Sequence, residues 1–304
     1  MNKIAKYLTV FSLASTMTLS TTVTADANTT TATKQSEVKQ QASTEQQVNL
    51  GAENIMAVSW YQNSAEAKAL YLQGYNTAKT NLDQELKKHK KNNGHKKLAI
   101  ALDIDETVLD NSPYQGYSAL HNKSYPEGWH EWIQAAKAKP VYGAKDFLQY
   151  ADKKGVDIYY ISDRDKDKDF KATKENLIAQ GLPQATDQHI MLKSKNDKNK
   201  AERRDKVRKN HKLVMLFGDN LLDFDDPQQP TQASREQLVN KHQKDFGKKY
   251  IIFPNPMYGS WESVLYNNDF SQSDAKKDQL RKQSIQYFDP ETSAIKQGQT
   301  TNSN

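Results

Sequence analysis

Leu98-Ala99-Ile100-Ala101-Leu102-Asp103-Ile104-Asp105-Glu106-Thr107 is the stretch on which the fold turns. Its apolar opening has no helical period and runs straight into acids. A short apolar run bounded in this way marks a strand buried on both faces, as in a parallel sheet. The same figure returns downstream. Val156-Asp157-Ile158-Tyr159-Tyr160-Ile161 stops at Ser162-Asp163, and Leu213-Val214-Met215-Leu216-Phe217 stops at Gly218-Asp219. Tyr250-Ile251-Ile252-Phe253 stops at Pro254-Asn255, and Ile190-Met191-Leu192 is a shorter candidate. Between the first two runs, Ala144, Phe147, Leu148 and Ala151 recur at the spacing of one helix face, which predicts a crossover helix. A second helix is expected from about Lys166 to Ala179, with Gly181 as its stop and Pro183 beyond. Strands alternating with helices predict the α/β class, with a doubly wound parallel sheet. Ile55 to Lys88 and Gln279 to Phe288 stand outside the alternation and both read as helical. They predict a small helical subdomain, built from N- and C-terminal segments, beside the sheet.

The ends of the chain read differently. Residues 1–27 resemble a secretory signal peptide: Lys3 and Lys6 give the positive start, and Tyr7 to Ser20 is mostly apolar or small. Ala25-Asp26-Ala27 offers the small-residue cleavage site. The apolar run is shorter than the roughly 20 residues a membrane span needs, and no second run of that length follows. Residues 28–48 are Thr, Gln, Ser, Lys and Ala with almost nothing to bury, and read as a disordered polar spacer. Residues 49–291 are expected to form one folded domain, and residues 292–304 a flexible polar tail. The expected destination is therefore outside the cell, released or loosely held in the wall.

Composition narrows the chemistry. The chain has 304 residues, enough for a sizeable core. Its 43 Lys and Arg against 37 Asp and Glu leave a net charge of +6, spread too thinly to point to a polymeric nucleic acid. There is no cysteine, which excludes disulfides, thiolate metal sites, a cysteine nucleophile and a lipid-modified cysteine after the signal.

Ligands of open α/β sheets bind beyond the carboxyl ends of the strands. Those ends carry Asp103-Ile104-Asp105-Glu106-Thr107, Ser162-Asp163, and Gly218-Asp219-Asn220 followed by Asp223. Two acids after one strand are often a solvated turn, but three such clusters after three strands are a joint pattern. Carboxylates gathered at one edge repel each other unless a cation sits among them, and all-oxygen donors suit Mg²⁺. One carboxylate could serve as a nucleophile and a second, in a different environment, as a proton donor. A basic partner for phosphate is available in the stretch from Lys193 to Lys200.

Asp103-Ile104-Asp105-Glu106-Thr107-Val108-Leu109-Asp110-Asn111-Ser112 resembles the first motif of the haloacid dehalogenase superfamily, and most closely that of the bacterial class C acid phosphatases. Gly218-Asp219-Asn220-Leu221-Leu222-Asp223-Phe224 resembles their second pair of aspartates. The likeness continues through Gly128-Trp129-His130-Glu131-Trp132 and Pro254-Asn255-Pro256-Met257-Tyr258-Gly259-Ser260-Trp261, covering about Glu53 to Asp289. The resemblance implies an acid phosphatase acting on phosphomonoesters through an aspartyl-phosphate, with Mg²⁺ as cofactor. It implies Asp103 as nucleophile and Asp105 as general acid and then base. Thr107, Ser162 and Lys200 would hold phosphate, with Lys200 preferred over Lys193, Lys195 and Lys198 by its spacing to Arg203. Asp103, Asp105 (through its carbonyl), Asp219 and Asp223 form the implied metal set, with Asp223 supporting either the metal or Lys200. Trp129 and Tyr258 would stack on a nucleobase, so aryl phosphates and 5′-nucleotides are the expected substrates. The expected partner is a small phosphomonoester, and a homodimer is compatible with all of this. A phosphotransferase on the same intermediate, or a surface protein binding haem or a host ligand, are the competing functions.

Overall fold

The computed structural model describes residues 48–227 and 229–298; the expected signal and nearly all of the expected spacer, residues 1–47, lie outside them. Helices α1 (Leu50–Asn63) and α2 (Ala65–Lys91) precede strand β1 (Leu98–Leu102). The short strand β2 (Leu109–Asp110), helices α3 (Ser112–His121) and α4 (Trp129–Ala135), and the short strand β3 (Lys139–Pro140) lead to α5 (Ala144–Lys153). Then come β4 (Asp157–Asp165), α6 (Lys166–Ala179), β5 (Ile190–Lys193), α7 (Ala201–Asn210), β6 (Lys212–Gly218), α8 (Gln232–Lys241) and β7 (Tyr250–Ile252). Helices α9 (Ser260–Ser263) and α10 (Asp274–Gln283) and the hairpin of β8 (Gln286–Asp289) and β9 (Ala294–Gln297) complete the described chain.

The central sheet has five strands in the order β5-β4-β1-β6-β7, and every neighbouring pair is parallel. From β1 the chain moves outward through β4 to β5, then returns to the other side for β6 and β7. The reversal lies between β1 and β6, the place where ligands bind in such sheets. Register makes the site: Leu102 pairs with Tyr160 on one side and Phe217 on the other. Asp103, Ser162 and Asp219 therefore emerge together at one edge.

The two faces of the sheet are packed unequally. On one, Tyr71, Tyr75, Ala78 and Leu82 of α2 are buried with Phe147 of α5, Phe217 and Phe253. The Tyr75 ring lies 4.7 Å from Phe253 and 5.4 Å from Phe147. On the other, Ala99 and Ala101 pack with Val207, Leu216 and Phe224. Small alanines on that face let α7 approach closely, which carries its N-terminal side chains to the strand ends.

The long helix expected from Ile55 to Lys88 is two helices. Ser64 breaks it, and its hydroxyl accepts from the Ala67 N–H at 3.1 Å to start α2. The terminal helix expected from Gln279 to Phe288 ends at Gln283; Gln286–Asp289 is instead a strand paired antiparallel with Ala294–Gln297. Aromatic Tyr287 and Phe288 favour a strand, and Asp289-Pro290 makes a turn in which the Asp289 carboxylate accepts from Glu291 N–H and the Thr292 hydroxyl, at 2.9 Å each. The polar tail thus begins inside a hairpin, with Ala294–Gln297 in a strand where fraying was expected. Arg281 of α10 reaches Glu53 of α1 at 2.6 Å, joining the two ends of the described chain. Strand β4 runs on through Ser162-Asp163 to Asp165, past the stop the sequence suggested. No helix among the described residues is long and apolar enough to cross a membrane.

Candidate active site

Asp103 follows β1 directly, and its N–H donates to the Phe217 carbonyl at 3.0 Å, so the ladder with β6 places it. Its carboxylate is buried. The Lys200 ammonium donates to Asp103 Oδ1 at 2.5 Å and to Asp223 Oδ1 at 2.6 Å. Carboxylate oxygens of Asp103, Asp219 and Asp223 all lie within 4.8 Å of one another. Lys193, Lys195 and Lys198 are more exposed, while Lys200, where α7 starts, is buried.

Each acid is held by its local turn. The Asn220 N–H donates to Asp223 Oδ2 at 3.0 Å and closes the turn after β6. Gly218 is required there, because a Cβ at that position would fall 2.2 Å from Asp223 Oδ2 and 2.3 Å from Asp223 Cβ. Arg204 donates to the Asp223 carbonyl at 3.0 Å and braces the same turn from α7. Asp219 accepts from the Thr107 hydroxyl at 3.4 Å and from Asn255 Nδ2 at 2.8 Å.

The electrostatics are those of a site short of positive charge. Burial pushes the Asp103 carboxyl well above the ordinary range; Lys200 opposes this, while Asp223, Asp105 and Asp219 add to it. Burial, with help from Asp223, pushes Asp219 up to about 7 against the pull of Asn255 and Lys200. Burial works against charge on Lys200 too, but Asp103, Asp223 and Asp163 hold its ammonium above the ordinary range. Asp103 and Asp223 share one lysine, and Asp219 stands close by without a cation of its own among the described residues. That surplus, with oxygen donors only, fits a hard divalent cation.

Asp105 belongs to a second cluster. Its Oδ1 accepts from Arg164 Nη2 at 2.7 Å, Asn111 Nδ2 at 2.8 Å and Arg164 Nε at 3.0 Å. Its Oδ2 is held more loosely, by the Ser162 hydroxyl at 3.2 Å and Arg164 Nε at 3.3 Å. The extension of β4 explains the grouping. Period-two alternation turns Ser162 and Arg164 inward to Asp105, while Asp163 turns to Arg203 Nη2 at 2.5 Å. The Arg164 guanidinium lies 5.7 Å from the Trp129 ring centroid, and Tyr114 meets that ring edge-on at 5.0 Å. Asn111 Oδ1 accepts from Trp132 Nε1 at 2.8 Å, fixing the amide that serves Asp105.

Glu106 lies between the clusters, fully buried, with φ at +51°. Asn111 N–H donates to its Oε1 at 2.7 Å, and the Tyr258 hydroxyl donates to its Oε2. Tyr71 and Tyr75 of α2 donate to the carbonyls of Glu106 and Thr107, at 2.5 Å each, so the core helix grips the loop. Burial, then the charge of Asp105, holds the Glu106 carboxyl well above its ordinary range.

The structure therefore brings Asp103, Asp219, Asp223 and Lys200 into one group, with Thr107 bonded to Asp219. It puts Asp105 and Ser162 in another, with Trp129 joined through Arg164 and Tyr258 through Glu106. Arg164, Glu106, Asn111 and Asn255 were not singled out in the sequence. The signal for Arg164 was present, since a basic residue two positions after Ser162 shares its face if the strand continues. Asn255 offered a weaker one, standing alone between two prolines beyond a strand.

The family model of the HAD superfamily, subfamily IIIB (acid phosphatase), matches residues 27–261. Two structures of the class C acid phosphatase from Bacillus anthracis, one with tungstate bound, superpose with a TM-score of 0.76 at 48% identity. Each superposition covers 80% of this chain and all of that one. The class B acid phosphatase of Morganella morganii is 29% identical over 188 residues, 57% of this chain and 74% of its own length. That of Proteus mirabilis is 30% identical over 140 residues, 41% of this chain and only 56% of its own length. With the family model spanning the strand ends just described, the chain belongs to subfamily IIIB of the HAD superfamily, the acid phosphatases, enzymes that hydrolyse phosphomonoesters.

Proposed function

We propose that this chain is a secreted, Mg²⁺-dependent acid phosphatase that acts on aryl phosphates and 5′-nucleotides through an aspartyl-phosphate on Asp103. The observation that carries this is the buried Lys200 ammonium shared by Asp103 and Asp223 beside Asp219, at the reversal point of the sheet. The tungstate in the similar Bacillus anthracis protein supports an oxyanion site in this fold.

Lys200 holds Asp103 Oδ1, which leaves Oδ2 to attack. The Oδ2–phosphorus bond forms as the ester oxygen departs from phosphorus. Asp105 gives that oxygen its proton. Of the two Asp105 oxygens, Oδ2 has the longer contacts and is the one suited to carry it. Asp105 then takes a proton from water, whose oxygen attacks phosphorus and releases Asp103 and inorganic phosphate. Thr107, Ser162 and Lys200 supply donors for the phosphoryl oxygens. Asp103, Asp219 and the Asp105 carbonyl would hold Mg²⁺, with Asp223, already bonded to Lys200, behind them. When bound, the ion would neutralise charge on the phosphoryl group and help to orient it. Tyr258 and Trp129 would meet the leaving group, Tyr258 being fixed by its bond to Glu106. Secretion is supported by the apolar run and the Ala25-Asp26-Ala27 site.

The test is release of inorganic phosphate from an aryl phosphate and from a 5′-nucleotide, with EDTA and with Mg²⁺ restored. Loss on chelation and recovery with Mg²⁺ are expected. Turnover untouched by exhaustive chelation overturns the metal assignment, and no release from either substrate overturns the proposed substrate range. N-terminal sequencing of the protein from culture medium should start at Asn28.

A further inference from the structure

Asn255 is a partly buried amide with a distinctive set of bonds. Its Nδ2 donates to Asp219 Oδ2 at 2.8 Å. Its Oδ1 accepts from the N–H of Met257 at 3.0 Å and of Tyr258 at 3.4 Å. One side chain thus holds an acid at the floor of the site and the turn that carries Tyr258 on its wall. The other end of that turn is tied down as well. The Ser260 hydroxyl lies 2.5 Å from Asn220 Oδ1, next to Asp219 in sequence. Tyr258 is itself fixed to Glu106, beside Asp105. Pro254 and Pro256 flank Asn255. A residue before proline is confined to extended backbone, and proline fixes its own φ, so the amide is presented by a stiff segment.

We propose that Asn255 is a positioning residue that couples the carboxylate of Asp219 to the Tyr258 turn, so that divalent-cation affinity and preference for aromatic leaving groups depend on one side chain. The inference rests on the metal role of Asp219 set out above. Asp219 has two oxygens, and the amide occupies one from the side of the wall. The other accepts from the Thr107 hydroxyl. Fixing Oδ2 orients the carboxylate plane, and second partners of this kind typically change metal affinity by about 10- to 100-fold when removed. The coupling is reciprocal: a ligand that steadies the turn steadies Asp219, and a cation on Asp219 steadies the turn.

Two variants separate the two halves of this role. In Asn255→Ser the hydroxyl can still accept from the Met257 N–H but is too short to reach Asp219. Asn255→Ala loses both. Mg²⁺ affinity is measured by titration calorimetry on wild type and both variants, without substrate, alongside circular dichroism and thermal melts. The expected result is a Mg²⁺ Kd raised about 10- to 100-fold in both variants. The ratio of kcat/KM for a 5′-nucleotide over a small alkyl phosphate should fall in Asn255→Ala and be largely kept in Asn255→Ser. Wild-type Mg²⁺ affinity in a folded Asn255→Ser variant overturns the proposal. An unchanged substrate ratio in Asn255→Ala, with Mg²⁺ affinity lost, overturns the coupling. Absence of Mg²⁺ binding by wild type overturns this inference together with the metal reading beneath it, and so is told apart from failure of Asn255 alone.

Discussion

Asp103 and Asp105 leave the same strand end two residues apart and enter opposite surroundings. Asp103 shares one lysine with Asp223 and has Asp219 close by, so its neighbourhood carries surplus negative charge. Asp105 has a guanidinium largely to itself, with Asn111 and Ser162 completing its shell. Lysine is a compact charge on a flexible stem that can follow a moving phosphoryl group, whereas arginine is a planar fork that fixes a carboxylate in one orientation. The difference teaches that one loop divides its two acids by environment. Asp103 sits where negative charge exceeds its single ammonium partner, and Asp105 where a guanidinium and two further donors fix the direction of its carboxylate.

The sharpest way to break that division is Asp103→Asn. It preserves shape and removes the charge proposed to attack phosphorus, and kcat should fall by about 10⁴- to 10⁶-fold, the range seen when a nucleophile is removed. Steady-state phosphate release measures it, and near-normal turnover would end the covalent mechanism.

Asp105→Asn probes the other half. General acid catalysis is worth about 10²- to 10⁴-fold, and the loss should approach this for alkyl phosphates, whose leaving groups need a proton. Aryl phosphates need it less and should lose less. Equal losses on both would show that Asp105 serves something other than the leaving group.

The Asp103 half also makes a prediction about stability. Burial raises Asp219 from 3.8 to about 7 in the folded chain, and Asp103 shifts in the same direction. Between those values the native state binds more protons than the unfolded state, so stability falls as pH rises through that window. At about 1.4 kcal/mol per unit, Asp219 alone accounts for a few kcal/mol. The melting temperature of the chelated protein should fall between about pH 4 and pH 7, and added Mg²⁺ should restore more of it at the upper end, where the carboxylates are free to bind. A chelated protein that grows more stable over this window would show that the surplus charge is balanced in some other way.

The smallest effects concern the wall. Stacking a base on an aromatic ring is worth about 1–3 kcal/mol, so Trp129→Ala or Tyr258→Ala should cost about 5- to 150-fold in kcat/KM for nucleotides. A small alkyl phosphate should lose much less. Trp129 already lies against Arg164 and Tyr114, so a uniform loss for that variant would mean that it supports Asp105 and not the substrate.

Much of this architecture was written locally. The strands at Leu98–Leu102 and Lys212–Gly218, the crossover helix at Ala144–Lys153 and the helix at Lys166–Ala179 follow from runs and periods, because burial on two faces or one imposes those patterns over a few residues. That the acids after those strands share one edge follows from the parallel order. The glycine before Asp219 could be noted in sequence, but its reason is a clash with Asp223 that only the folded turn creates.

Sequence alone was enough for the class of fold and for the acids that gather at one edge of the sheet, since these depend on hydrophobic pattern and on strand ends. Only the tertiary structure decided which partner each acid keeps. Arg164 reaches Asp105 because β4 runs on past Ser162, and Asn255 reaches Asp219 because β7 pairs beside β6. The turn of the terminal hairpin and the break at Ser64 were likewise settled by hydrogen bonds from single side chains. Such partners lie tens of residues apart or rest on one polar contact. A polar residue read by itself is equally suited to solvent, and only its neighbours in space choose between the two.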